Sequence, residues 1–290
     1  MGEWHSQAPA ARGCGRAVAG EAAGCDPRWW GDPLAAILRE VGWLQLQPTV
    51  TYCAGGCPAT TANPSGMCGR YTQTRPGEDV AQRFLLRFDP QALELRPRFN
   101  IAPSQFVLTV AAGPNGREPA FAKWGFLPAW AKHAKLAQIN ARSETAAGSG
   151  MFRAALRARR CLIPADGFFE WPPRADGAGK TPMRFTLRSG NLFAFAGIWE
   201  EWAGGPDGPL RTCAILTTHP NELVANVHNR MPVILRPEHE GLWLDPAVTD
   251  PAALAPAWAP YPADAMRAYP VSGRVNSPRF DDPECIGPVA

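Results

Sequence analysis

Every one of the 13 phenylalanines in this 290-residue chain lies after position 66, and so does every lysine. The composition shifts at that point, and residues 67–290 have a length that suits one compact domain with a real core. Residues 1–66 are rich in Ala, Gly and Pro and hold four of the eight cysteines, Cys14, Cys25, Cys53 and Cys57. The one element expected there is a short helix over 32–46, with Asp32 as N-cap and Pro33 at the first helical position. No sustained hydrophobic period flanks it. The expectation for 1–66 is a disordered tail or an upstream stretch taken in by a misassigned start codon. The chain shows neither a charged segment leading into an apolar signal core nor a run of 18 apolar residues. Cys53 and Cys57 have no second pair or nearby His at zinc spacing, so no metal and no cofactor is expected.

Within 67–290 the pattern predicts a helix over 78–88, with Val80, Phe84 and Phe88 on one face. Strands are expected at 106–111, 120–124, 160–163, 167–171, 183–188, 192–199, 212–217 and 232–235, separated by turn residues such as Arg188-Ser189-Gly190-Asn191. Helices are expected over 142–147, 151–159, 237–244 and 251–258, and residues 172–181 read as an exposed hairpin loop. Strands dominate and do not alternate regularly with helices. That argues an α+β domain with a curved, mainly antiparallel β-sheet or barrel core and peripheral helices. The segment carries 25 Lys and Arg against 21 Asp and Glu, too mild an excess to argue for nucleic acid by itself. Cys161 and Cys213 sit in apolar runs, as buried cysteines do. No disulfide framework is implied, which fits a reducing cytoplasm.

Four places put reactive or polar groups into apolar surroundings. Met67-Cys68-Gly69-Arg70-Tyr71 has the form of a second beginning. If translation starts at Met67 and the methionine is trimmed, Cys68 carries a free α-amine and a thiol on adjacent carbons. Ile139-Asn140-Ala141-Arg142-Ser143-Glu144-Thr145 offers an amide, a guanidinium and a carboxylate. Glu170, flanked by Phe169 and Trp171, is in a setting that raises a carboxyl pKa. His228 stands just before a strand, in His228-Asn229-Arg230-Met231-Pro232. Each also suits a structural role: Asn140 as a cap or turn, Glu170 paired with an arginine, His228 hydrogen-bonded at a strand entrance. Together they supply the groups of a covalent-catalysis site.

These segments, with Arg98-Phe99-Asn100-Ile101-Ala102-Pro103-Ser104, Trp124-Gly125-Phe126-Leu127-Pro128-Ala129-Trp130 and Cys161-Leu162-Ile163-Pro164-Ala165-Asp166-Gly167-Phe168-Phe169-Glu170-Trp171, resemble the SOS-response-associated peptidase family, whose members shield abasic sites in single-stranded DNA. Six segments in family order span most of 67–290. The 66 preceding residues depart from the family, in which the cysteine is the mature N-terminus. The resemblance implies that Cys68 crosslinks the abasic sugar as a thiazolidine. It implies that Asn140 holds cysteine and sugar in register, that Glu170 transfers protons, and that His228 assists at the sugar oxygen. Arg70 and Arg142 are its implied phosphate ligands, and Trp124, Phe126, Pro128 and Trp130 its implied base-stacking wedge, at least one of the tryptophans being core. Thr217 is implied as a backbone contact. The implied protein is a cytoplasmic monomer that associates with the nucleoid on damage and with no membrane. Three other readings stay open: an N-terminal-nucleophile amidohydrolase, a thiol hydrolase using Cys68, His228 and Asn140, and a non-catalytic single-strand DNA-binding module.

Overall fold

Alternation along the strands builds three layers. The computed structural model describes residues 69–86, 95–174, 176, 177 and 179–289. The expected helix over 32–46, the pair Cys53 and Cys57, Phe88 and Cys68 lie outside them. The strands are β1 (Tyr71–Gln73), β2 (Arg98–Ile101), β3 (Phe106–Gly113), β4 (Gly116–Trp124), β5 (Asn140–Arg142), β6 (Arg160–Ala165), β7 (Gly167–Glu170), β8 (Met183–Leu187), β9 (Phe193–Trp202), β10 (Leu210–Thr218), β11 (Met231–Pro232), β12 (Ile234–Leu235) and β13 (Met266–Pro270). One sheet has the order β13-β8-β7-β1-β2. The other runs β11-β10-β4-β3-β6-β9-β12, with β5 added beside β10 and β9 also pairing β10. Pairing is antiparallel except where β10 runs parallel to β4 and β5.

In β9, Phe193 and Phe195 join the core between the sheets, while Ala194, Ala196 and Ile198 join the core beneath the helices. β10 divides the same way, Cys213 and Ile215 against Ala214 and Leu216. Both faces of the larger sheet are therefore apolar, which period-2 geometry requires of a central layer. The helices are α1 (Gly77–Phe84), α2 (Ser143–Ala146), α3 (Arg153–Ala158), α4 (Glu222–Ala225) and α5 (Pro237–Leu244); all but α4 form the helical layer, and Val224 of α4 packs into the inter-sheet core. Val80 and Phe84 of α1 and Trp243 of α5 are fully buried in the helix-side core. On the far face of the smaller sheet, Phe169 packs against Val271, Val275 and Cys285 from the C-terminal turns.

The expected α+β class holds, with four adjustments. Helix α1 ends at Phe84, where Leu85 turns left-handed and returns its N–H to the last turn. Residues 251–258 form a 3₁₀ helix with Pro256 inside it, a residue without an N–H to donate. Arg142 closes β5 rather than opening a helix, and α2 starts one residue later. Strands β1, β2, β5 and β13 were not expected. Residues 172–181 do form the connection between paired β7 and β8, with Pro173 bridging Lys180.

The chain crosses from the larger to the smaller sheet between β6 and β7, at Asp166. Its carboxylate accepts hydrogen bonds from the Thr72 hydroxyl, the Thr74 N–H at 2.6 Å and Arg184 Nη2 at 3.0 Å. Arg184 also donates to Thr72 Oγ1 at 2.9 Å and to the Tyr269 hydroxyl at 2.8 Å. One buried ion pair thus ties β1, β7, β8 and β13 together. Gly167 is required here, because a Cβ would stand 2.8 Å from Arg184 Nε.

Candidate functional site

The polar residues gather around the C-terminal end of β10. Its register sets Asn140 beside Ile215, Ala141 beside Leu216 and Arg142 beside Thr217. On the other side β11 sets Pro232 against Thr217. Ile215 belongs to the inter-sheet core, so Asn140, Arg142 and Thr217 share that face. Asn140 and Thr217 are buried and Arg142 is exposed.

Glu170 faces the same seam from the smaller sheet. Phe168 is an inter-sheet residue and Phe169 faces away, so alternation turns Glu170, 5% exposed, back toward the seam. β7 pairs β1 antiparallel, Tyr71 opposite Phe168 and Thr72 opposite Gly167. The Phe169 N–H donates to the Arg70 carbonyl at 3.0 Å. Continuing this register brings Gly69, the first described residue, level with Glu170. Cys68 is one peptide bond further on.

His228 follows α4, whose N-cap Asn221 accepts from the Val224 N–H at 2.9 Å. The Val224 carbonyl in turn accepts from the His228 N–H at 2.9 Å. The His228 Nδ1 lies 3.1 Å from the Arg230 N–H and 3.0 Å from its carbonyl oxygen. The Arg230 main chain therefore occupies Nδ1 in either tautomer, and Nε2 is the nitrogen left for chemistry. The Arg230 guanidinium forms a bidentate pair with Glu144, Nη1 to Oε1 and Nη2 to Oε2, both 2.8 Å, and donates to the Thr217 carbonyl at 2.7 Å. Exposed His219 approaches the same carboxylate at 3.3 Å. Burial pushes the Glu144 carboxyl upward, but the Arg230 hydrogen bond, its own backbone and the nearby cations outweigh that and hold it below the usual carboxylate range.

Other expected residues fall differently. The Arg70 guanidinium turns into the fold, donating to Asn100 Oδ1 at 2.8 Å and to the Val275 and Asn276 carbonyls at 2.5 and 3.3 Å. Burial lowers its pKa. In this arrangement it buttresses the start of β1. Fully buried Asn100 completes that contact, donating to the Phe280 carbonyl at 2.7 Å. The expected four-residue wedge also narrows. Trp124 and Phe126 are fully buried and Pro128 is buried, whereas Trp130 is 61% exposed. Trp124 donates to the Ile139 carbonyl at 2.8 Å and so holds the approach to Asn140 from within. Gly125, at φ 149°, lets the chain leave the sheet between these two aromatics.

The sequence reading gave no role to Glu144, Arg230, Asn100 or Asp166, although all four stand in the quoted motifs. It also passed over a charge signal. From Pro119 to Ser143 there is no acidic residue, while Lys123, Lys132, Lys135 and Arg142 fall inside, and Lys132, Lys135 and Arg142 are exposed. The described residues hold no group of three or more His, Cys, Asp and Glu able to bind a metal ion. None of their helices is long and apolar enough to cross a membrane.

The family model described as SOS response associated peptidase (SRAP) matches residues 67–278. The abasic site processing protein YoqW of Bacillus subtilis is 46% identical over 223 residues, 76% of this chain and 99% of that protein. The abasic site processing protein YedK of Escherichia coli is 30% identical over 235 residues, 77% of this chain and 100% of that protein. Among solved structures, a Bacteroides thetaiotaomicron protein superposes with a TM-score of 0.69 at 25% identity, covering 77% of this chain and all of that one.

Proposed function

The chain belongs to the SOS response associated peptidase family, and on that premise we propose that it processes abasic sites in single-stranded DNA, capturing them covalently through Cys68. The observation that carries this reading is the β1–β7 register, which sets the buried Glu170 level with the residue that follows Cys68.

A ring-opened abasic sugar presents an aldehyde at C1′. With Cys68 as the N-terminal residue, its neutral α-amine adds to that carbon and water leaves, giving a Schiff base. The thiol sulfur then adds to the imine carbon and its proton passes to nitrogen, closing a five-membered thiazolidine. One water is released overall. An α-amine has a pKa of roughly 7.7–8.0, so a useful fraction is neutral near pH 7, whereas a lysine at about 10.4 needs a large shift. Ring closure is intramolecular, which raises the effective concentration of the thiol.

Glu170 relays protons as the carbinolamine forms and loses water. His228 acts through Nε2 at the sugar oxygen during ring opening. Asn140 holds sugar and cysteine in register across the seam. Arg142, Lys132 and Lys135 take the phosphates, and Trp130 stacks on a neighbouring base. The amine is exposed either by methionine trimming at Met67 or by self-cleavage before Cys68 assisted by Glu170 and His228. The protein acts as a cytoplasmic monomer, associating with the nucleoid on damage.

The test is Cys68→Ala. It is expected to lose the covalent band on a denaturing gel with abasic single-stranded DNA while keeping salt-sensitive binding. Unchanged behaviour in both assays would favour a plain DNA-binding module.

A further inference from the structure

We propose that Glu144 is a positioning residue for this reaction, acting through Arg230 to fix His228. The inference rests on the capture reading above, in which His228 works at the sugar. His228 stands on a loop entered from a single-turn helix, α4, and its imidazole is held through Nδ1 by the Arg230 main chain. The orientation of that ring is therefore only as good as the placement of residue 230. Its guanidinium provides the anchor, with two parallel 2.8 Å bonds to Glu144 and a 2.7 Å bond to the Thr217 carbonyl. The Arg230 side chain is 11% exposed and that of Glu144 34%. Planar fork-to-carboxylate pairing fixes direction as well as distance, which a point charge does not. Thr217 in turn pairs with Arg142, on the strand that carries Asn140. One carboxylate thus links the histidine loop to that strand. His219, 74% exposed on the same carboxylate, adds little to this anchor.

Removing the negative charge of Glu144 beside the expected phosphate path does not weaken DNA binding by simple electrostatics. The clamp therefore predicts a split. In Glu144→Gln, affinity for undamaged single-stranded DNA is retained or raised, while covalent capture of an abasic strand at saturating DNA slows by roughly 10-fold, the scale of a small misplacement of a reacting group. In a His228→Ala background the same change has almost no further effect on the rate, because the two residues act as one unit. Glu144→Asp, which keeps the charge, falls between wild type and Gln. The His228 imidazole ¹⁵N shifts move in Glu144→Gln and stay in place in His219→Ala.

An unchanged capture rate in Glu144→Gln overturns the proposal, and so does the same slowing with and without His228. If Glu144→Gln does not fold, Glu144→Asp must show the split between binding and rate, and its absence there overturns the proposal. If the wild-type protein captures nothing, the capture reading fails by itself. The His228 ¹⁵N shifts then decide the clamp, and unmoved shifts in Glu144→Gln reject it.

Discussion

Two arginine–carboxylate pairs brace this site, and they differ in depth. Arg184–Asp166 lies inside the corner between the sheets, its side chains 9% and 7% exposed. Arg230–Glu144 lies on the rim beside β10, at 11% and 34%. The corner pair has a second layer of partners in Thr72, Thr74 and Tyr269. The rim pair holds one loop and one strand end. The same chemistry therefore does two jobs. In the corner it pins β1 to β7 and β8 through Thr72 and Thr74. On the rim it fixes a histidine while leaving the fold largely indifferent.

The largest effect that would break this contrast is at the corner. Removing one partner of a buried pair strands the other charge, at a cost of about 3–5 kcal/mol. Asp166→Ala is expected to lose that much stability in urea melts, and capture with it as β1 loosens. Glu144→Ala is expected to lose no more than about 1 kcal/mol. Equal losses would erase the distinction.

The two tryptophans sharpen the same division between interior and rim. Trp124→Ala should cost about 3–5 kcal/mol of stability. Trp130→Ala should leave the melting temperature in place and weaken single-strand binding by about 1–3 kcal/mol. Direct titration with an abasic-free oligonucleotide, alongside thermal melts, separates the two.

A smaller effect concerns pH. Glu144 is held below the usual carboxylate value of 4.5 in the folded protein. A depressed carboxyl contributes stability that is present above its unfolded pKa and lost as pH falls through its folded pKa. The difference in stability between wild type and Glu144→Gln should therefore be flat from neutral pH down to about 5 and vanish under acid conditions below 4.5. A difference already lost well above pH 5 would contradict this assignment. Smallest of all is the expected reactivity of Cys161 and Cys213. Burial pushes both thiols far up, so they stay protonated and closed to alkylation in the native state. Mass mapping after brief iodoacetamide treatment should find both unmodified and Cys68 modified.

The long strands were readable from their apolar runs. Strands β1 and β5 have three residues each, too short for a period to show, although β5 carries Asn140 and Arg142 and β1 opens just after Arg70. The motifs marked the right segments without dividing labour inside them. Trp124 and Trp130 read alike in sequence, and only the departure of the chain from the sheet at Gly125 sends one inward and the other out. Arg70 reads in sequence only as an implied phosphate ligand, because its carbonyl partner at Val275 lies 205 residues away. Asp166 and Gly167 sit in the same motif as Glu170, yet their place is architectural, a distinction that rests on contacts with Thr72 and Arg184 on other strands.

The most direct test is the intact mass of the protein purified from its own host, followed by a denaturing gel after mixing with single-stranded DNA bearing one abasic site. The account predicts a mass beginning at Cys68 and a heat-stable shifted band. A mass that retains residues before Cys68 together with a shifted band would contradict it, because an internal cysteine has no amine with which to close the thiazolidine.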